Sequence, residues 1–169
     1  VYRDSLYVFG GTDNSSNMNE IVRYDLSTQN SGEWTTIAKV NEANQRGGVA
    51  FVVEDKVYAG LGEKSSGIRN GFYVSSDSLT KWEPIPSIPA QLGVISSGVY
   101  DEQKKSFFMI DNDGKIWEYN LTTAQWTSRS LWIRMKNYHM FMLDGSIYIL
   151  GQDIYQKNKF TVYNPIWDN

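Results

Sequence analysis

Over short stretches of this 169-residue chain, apolar residues fall at every second position. That is the period of a strand with one buried face. GGVAFVVEDKVYAGLG (47–62) alternates on either side of Glu54-Asp55-Lys56 and reads as a hairpin. YHMFMLDGSIYILGQ (138–152) repeats it around Asp144-Gly145, a strong two-residue turn signal. SSGVYDEQKKSFFMID (96–111) is the same hairpin with a longer charged tip, and YRDSLYVFGG (2–11) holds its second half. After each hairpin a polar loop leads to a third strand, at 21–26, 71–75, 115–121 and 160–164. A turn then brings a tryptophan that opens a fourth. No stretch shows the i, i+3, i+4, i+7 spacing of an amphipathic helix.

The tryptophans at this point of the pattern are Trp34, Trp82, Trp126 and Trp167, separated by 48, 44 and 41 residues. Four short strands every 40 to 50 residues is the period of a β-propeller blade. The expected fold is therefore all-β, with repeat units at 1–46, 47–95, 96–137 and 138–169 holding three, four, four and three strands. That makes about three and a half blades, and propellers close with roughly four to eight. An open half-ring leaves the apolar faces of its end blades uncovered. The chain is expected to be part of a larger ring, its remaining blades supplied by sequence outside this segment or by a second copy.

Composition narrows the function classes. Hydrophobic residues make up 41% and charged residues 21%, ordinary globular values, while 11 Tyr, 6 Trp and 14 Gly suit blades and hairpins. A net charge of -3 with scattered Lys and Arg offers no basic field for nucleic acid. Cysteine is absent, which removes disulfides, thiolate metal sites and a cysteine nucleophile. The single histidine, His139, excludes sites built on two or three histidines of one chain. No run approaches the length of a membrane helix and no signal-peptide pattern is present. The compartment is not encoded; an extracytoplasmic one, periplasmic or cell-surface, is favoured.

Two halves of the repeat carry a resemblance. LDGSIYILG (143–151) and SLYVFGG (5–11), followed by YDLSTQNSGEW (24–34) and YNLTTAQW (119–126), resemble the Kelch repeat over nearly the whole chain. The double glycine of that pattern survives only at Gly10-Gly11; its counterparts are Gly60-Leu61-Gly62, Asp111-Asn112 and Gly151-Gln152. This makes the chain more similar to divergent microbial Kelch-like proteins than to ubiquitin-ligase adaptors. SSDSLTKW (75–82) looks like a degenerate Asp-box turn, with Leu79 in place of its glycine. The resemblance implies a non-catalytic module that binds a protein or glycan. An alternative is part of a carbohydrate-active propeller enzyme, galactose-oxidase-like or sialic-acid-epimerase-like, with its catalytic residues mostly outside this segment. No catalytic residue, metal site or cofactor is expected within the chain, and one histidine does not supply the oxidase's copper centre.

Regularly repeated aromatics, including Tyr24, Tyr73, Tyr119 and Tyr163, are expected to pack between blades. His139 is expected to be structural. Acidic DNDGK (111–115) lacks the spacing of a calcium loop and reads as a tight turn. Recognition is expected instead in the loops between second and third strands and those between blades, which blade topology brings to one face. They carry Arg46, Arg69, Arg134, Asn44, Asn137, Trp132 and Tyr155. Arginine and aromatic residues on loops of a rigid scaffold are the usual carriers of binding energy.

Overall fold

The computed structural model describes residues 1–13, 16, 18–27, 32–40, 46–64, 66–76, 78–89, 97–111, 114–132 and 135–165. All regular structure among them is β. The chain forms two compact units, Val1–Ile85 and Pro86–Asn169.

In the first unit, β1 (Ser5–Phe9), β2 (Glu20–Asp25) and β3 (Trp34–Lys39) form a three-stranded antiparallel sheet. A four-stranded sheet follows: β4 (Val49–Val53), β5 (Lys56–Gly60), β8 (Phe72–Ser76) and β9 (Glu83–Ile85). Between β5 and β8 lies a feature the sequence pattern did not announce, a small ribbon of β6 (Glu63–Lys64) and β7 (Gly67–Ile68). In the second unit, β10 (Gly98–Asp101), β11 (Ser106–Ile110), β12 (Lys115–Asn120) and β13 (Gln125–Trp132) form one sheet. The last comprises β14 (Lys136–Leu143), β15 (Ser146–Gln152) and β16 (Asn158–Tyr163). Each blade sheet is a meander in which neighbours in sequence are neighbours in space. The expected series of three, four, four and three strands is what these sheets contain.

Local chemistry fixes the turns. Asp144 (φ 47°) and Gly145 (φ 72°) both take left-handed backbone, the two-residue geometry that matches strand twist. Arg3 (φ 46°) and Asp4 (φ 54°) form the same kind of turn, closed by the Tyr2–Ser5 bridge. Elsewhere a carboxylate or amide oxygen opens the turn by accepting backbone N–H bonds two to four residues on. Asp101 accepts from Gln103 (3.0 Å) and Lys104 (3.1 Å), and Asn120 from Thr122 and Thr123 (both 2.9 Å). Asp111 accepts from Lys115 N (2.9 Å) and from the indole of buried Trp117 (2.9 Å), so its carboxylate is committed within the protein; Asn112 and Asp113 of the DNDGK stretch lie outside the described residues.

Among the described residues, a core in each unit holds its sheets together. In the first unit Ile21, on the first sheet, packs with Val57 and Leu79 of the second, alongside Tyr2. Phe9 meets Trp82 edge-on at 5.5 Å. In the second unit Val99, Phe108, Ile110 and Ile116 face Met140, Ile147, Ile149 and Tyr163 across the two sheets. The Tyr138 hydroxyl donates to the carbonyl of Ile110, and Ser97 Oγ accepts from Met140 N at 2.9 Å. Burying each large side chain here contributes about 1.5–3 kcal/mol.

The repeated tyrosine–tryptophan unit contributes within a blade as well as between blades. Tyr119 and Trp126 pair across β12 and β13 with ring centroids 4.8 Å apart, and Tyr24 and Trp34 across β2 and β3 at 5.4 Å. Tyr163 reaches the neighbouring sheet, with Phe108 at 6.5 Å. Trp34, by contrast, is 52% exposed.

Candidate functional site

In each unit the chain segment leading into a blade meets the loop between that blade's second and third strands. In the first unit Arg46 and Glu63 exchange backbone bonds (3.0 and 2.9 Å), and the Arg46 guanidinium Nε donates to Glu63 Oε1 at 2.7 Å. Gly62 (φ 89°) makes this approach possible. A Cβ there would collide with the Arg46 carbonyl oxygen, so this is a place where only glycine fits. Arg69 N donates to Gly62 O at 2.8 Å, which closes the β6–β7 ribbon onto the same point. Arg69 itself is exposed, and its neighbour Ile68 is 50% exposed. Arg46 and Arg69 therefore flank one structured loop, but Arg46 is ion-paired to Glu63 rather than presented as a free cation.

The second unit repeats the arrangement with different side chains. Lys136 pairs with Gln152, and a bulge follows at Asn137 (φ 50°), a residue type that tolerates left-handed backbone. The Asn137 amide Nδ2 donates to Gln152 Oε1 at 3.3 Å. Beyond Gln152, Asp153 organises the loop. Its Oδ1 accepts from Tyr155 N (2.9 Å) and Lys157 N (3.0 Å), and its Oδ2 lies 3.7 Å from Lys159 Nζ. The result is a fixed turn with Ile154 68% and Tyr155 75% exposed at its tip.

The expectation that Trp132 and Asn137 lie in a loop between blades is corrected by the structure. Strand β13 continues to Trp132, whose backbone pairs with Lys115, and β14 begins at Lys136. Trp132 and Asn137 thus stand on strands. The run from Trp126 to Trp132 is rich in residues that suit a pleated sheet, and a bulge opposite Lys115–Trp117 lets it extend that far. Asn44 and Arg134 lie outside the described residues. His139 is exposed on β14. Glu63, Ile68, Asp153 and Ile154 were not anticipated. The signals for them were Gly62, which allows the ribbon's close approach, and an Asp preceding a polar turn.

Away from these loops, two titratable groups of the first unit are shifted by their surroundings. Asp25 is held below the usual carboxylate range, first by the Ser27 hydroxyl and then by the Ser27 N–H. Burial pushes the Tyr58 phenol up, with the Glu54 carboxylate adding to it. Among the described residues no three His, Asp or Glu side chains gather in a way that would hold a metal ion. An apolar recess of about 210 Å³ in the first unit is lined by Tyr7, Phe9, Ala50, Val52 and Tyr2, whose hydroxyl is committed to Asp55 O (3.0 Å).

Comparison with known proteins agrees with this architecture. Residues 1–41 match the Kelch motif model. A solved structure titled "Structure of YjhT", a Kelch-type propeller protein, superposes with a TM-score of 0.65 at 10% sequence identity. The match covers 95% of this chain and 63% of that one, so the chain spans less than two thirds of that protein's length. None of the curated proteins matches the chain. The chain is thus built of β-propeller blades, with a Kelch motif in residues 1–41.

Proposed function

We propose that the chain is a non-catalytic binding module that engages a protein or glycan through the loops that lead into its blades and those between second and third strands. The observation that carries this reading is the pair of rigid loop tips. One presents Ile68 and Arg69 on a ribbon pinned by Gly62 and the Arg46–Glu63 pair. The other presents Ile154 and Tyr155 on the turn held by Asp153. Exposed apolar, aromatic and arginine side chains on pre-ordered loops lose little conformational entropy on binding. Catalytic groups are not part of the proposal; Trp132 joins it through its place at the end of β13, and Asn44 and Arg134, outside the described residues, join it through their places in the sequence alone.

The test is selection of ligands from a glycan array and a displayed peptide library, followed by titration of each hit. Arg69→Ala and Tyr155→Ala are expected to weaken binding by about tenfold or more in the unit they belong to. Both side chains are exposed, so folding is retained. Hits that bind both variants as tightly as the parent, with amide-exchange protection mapping away from 46–69 and 136–157, would refute the reading.

A further inference from the structure

The short stretch that returns the chain from the β6–β7 ribbon to β8 carries a reactive pair. Asn70-Gly71 is the one Asn-Gly step in the sequence. It lies between β7, which ends at Ile68, and β8, which begins at Phe72, and belongs to neither strand. Asn70 is half-buried. Asparagine before glycine is the pair most prone to cyclise, because no Cβ on the second residue shields its peptide nitrogen.

Packing is what keeps a glycine there. A Cβ on Gly71 would stand 2.6 Å from the Tyr73 hydroxyl and 3.0 Å from its ring, so a larger residue would have to displace that side chain. On its other side the chain passes close to Gly60, where a Cβ would be 2.4 Å from Gly71 O. Two hydrogen bonds bracket the pair: Arg69 N donates to Gly62 O, and Gly71 O accepts from Leu61 N, both at 2.8 Å. Asn70 is the one residue between these anchors, so the path from one to the other has no slack to absorb an added main-chain atom.

We propose that Asn70-Gly71 is a self-modification site whose deamidation unlatches the β6–β7 ribbon. The Gly71 nitrogen attacks Asn70 Cγ; the N–Cγ bond forms, the Cγ–Nδ2 bond breaks, and ammonia leaves carrying the Gly71 amide proton. Water then opens the five-membered imide at either carbonyl, giving aspartate or isoaspartate at position 70. The reaction needs no oxidant, metal or second protein. Isoaspartate routes the main chain through Cβ and so adds one methylene between the two anchors. Both products also set a carboxylate beside Arg69. One of the bracketing bonds is then lost, and the ribbon carrying Ile68 and Arg69 loosens from the blade. That this changes recognition rests on the binding role proposed for the ribbon; the modification itself does not.

The test is ageing of the folded chain in mildly alkaline buffer, beside a urea-unfolded sample, until the unfolded sample has converted. Trypsin cuts after Arg69 and Lys81, and the peptide 70–81 holds a single side-chain amide, that of Asn70. Its amide-to-acid mass shift, against an unaged control digested in parallel, reports conversion, and chromatography separates the aspartyl from the isoaspartyl form. The folded chain is expected to accumulate isoaspartate at 70. Deuterium exchange at Leu61 and Arg69 is expected to rise about tenfold or more, the signature of a lost backbone hydrogen bond. Asn70→Gln keeps the amide but closes a six-membered ring far more slowly, and is expected to show neither change. A folded chain that retains Asn70 overturns the proposal, since the anchors then hold the amide away from its nucleophile. So does conversion that leaves exchange at Leu61 and Arg69 unaltered. Both readouts are independent of any ligand, so either failure leaves the binding proposal standing.

Discussion

Leu79 offers a sharp test of how local backbone and packing compete in these blades. Its side chain is 1% exposed among Ile21, Val57 and Tyr2, yet its backbone is left-handed at φ 59°. The turn is closed by the Trp82 indole donating to Leu79 O (3.0 Å) and by the Ser78–Thr80 hydroxyl contact (2.7 Å). A left-handed non-glycine residue costs about 1–2 kcal/mol. Leu79→Ala keeps that strain and empties a buried site, so a loss of about 3 kcal/mol is expected. Leu79→Gly empties the same site but releases the strain. Against that release stand about 0.5–1 kcal/mol of extra unfolded-chain entropy and about 0.8 kcal/mol for one more lost methyl. The terms nearly cancel, so the glycine variant is expected within about 0.5 kcal/mol of the alanine variant. At an extended buried position glycine would be worse by more than about 1 kcal/mol. Urea unfolding followed by tryptophan fluorescence, with Trp82 reporting on the turn itself, measures the difference. A glycine variant less stable than alanine by about 1.5 kcal/mol would show that the turn stores no such strain.

Three further expectations follow from other turns and strands. Asn120→Ala removes an acceptor of two backbone N–H groups and the 3.2 Å bond from Nδ2 to Ser106 Oγ, for a loss of about 1–2 kcal/mol in urea titration. Asn120→Asp keeps the acceptor and is expected to recover most of that loss. Gly62→Ala meets the Arg46 carbonyl at a left-handed φ of 89°, and a loss of about 2 kcal/mol or more is expected, together with faster amide exchange at Arg46 and Glu63. Tyr58 has its pKa raised by burial and by Glu54, so the unfolded chain loses this proton at lower pH than the folded one. Its contribution to stability is present below the ordinary tyrosine value and is lost as pH rises through the folded value. Tyr58→Phe is expected to flatten the alkaline limb of the stability curve; an unchanged slope would remove Tyr58 as its source.

Much of the fold was legible because blade strands obey a period of two and the turns between them have fixed chemistry. Asp144-Gly145 reads as a hairpin in sequence and is one in space. The recurring tryptophans gave the repeat because they stand at the start of the last strand of a sheet, as Trp34, Trp82 and Trp126 do. What escaped was structure whose cause is distant in sequence. The β6–β7 ribbon depends on Gly62 meeting Arg46, 16 residues earlier in the chain. The extension of β13 depends on a bulge opposite Lys115–Trp117, and neither bulge nor partner leaves a local mark on TSRSLW. The candidate site was legible by loop class. The Glu63 partner of Arg46 and the carboxylate scaffold behind Tyr155 became visible only with the loops in place.

The order of strands within the sheets also bears on how such a chain is made. In every blade sheet the strands lie side by side in the order they are translated, with no crossover. Pairing never waits on a distant part of the polypeptide, so loop-closure entropy stays small for each hairpin. A blade is able to form as soon as its own few dozen residues have cleared the ribosome, and the next is laid down against a surface already in place. The β10–β13 sheet, with β11 entirely buried, then acts as the template on which β14–β16 condense during synthesis.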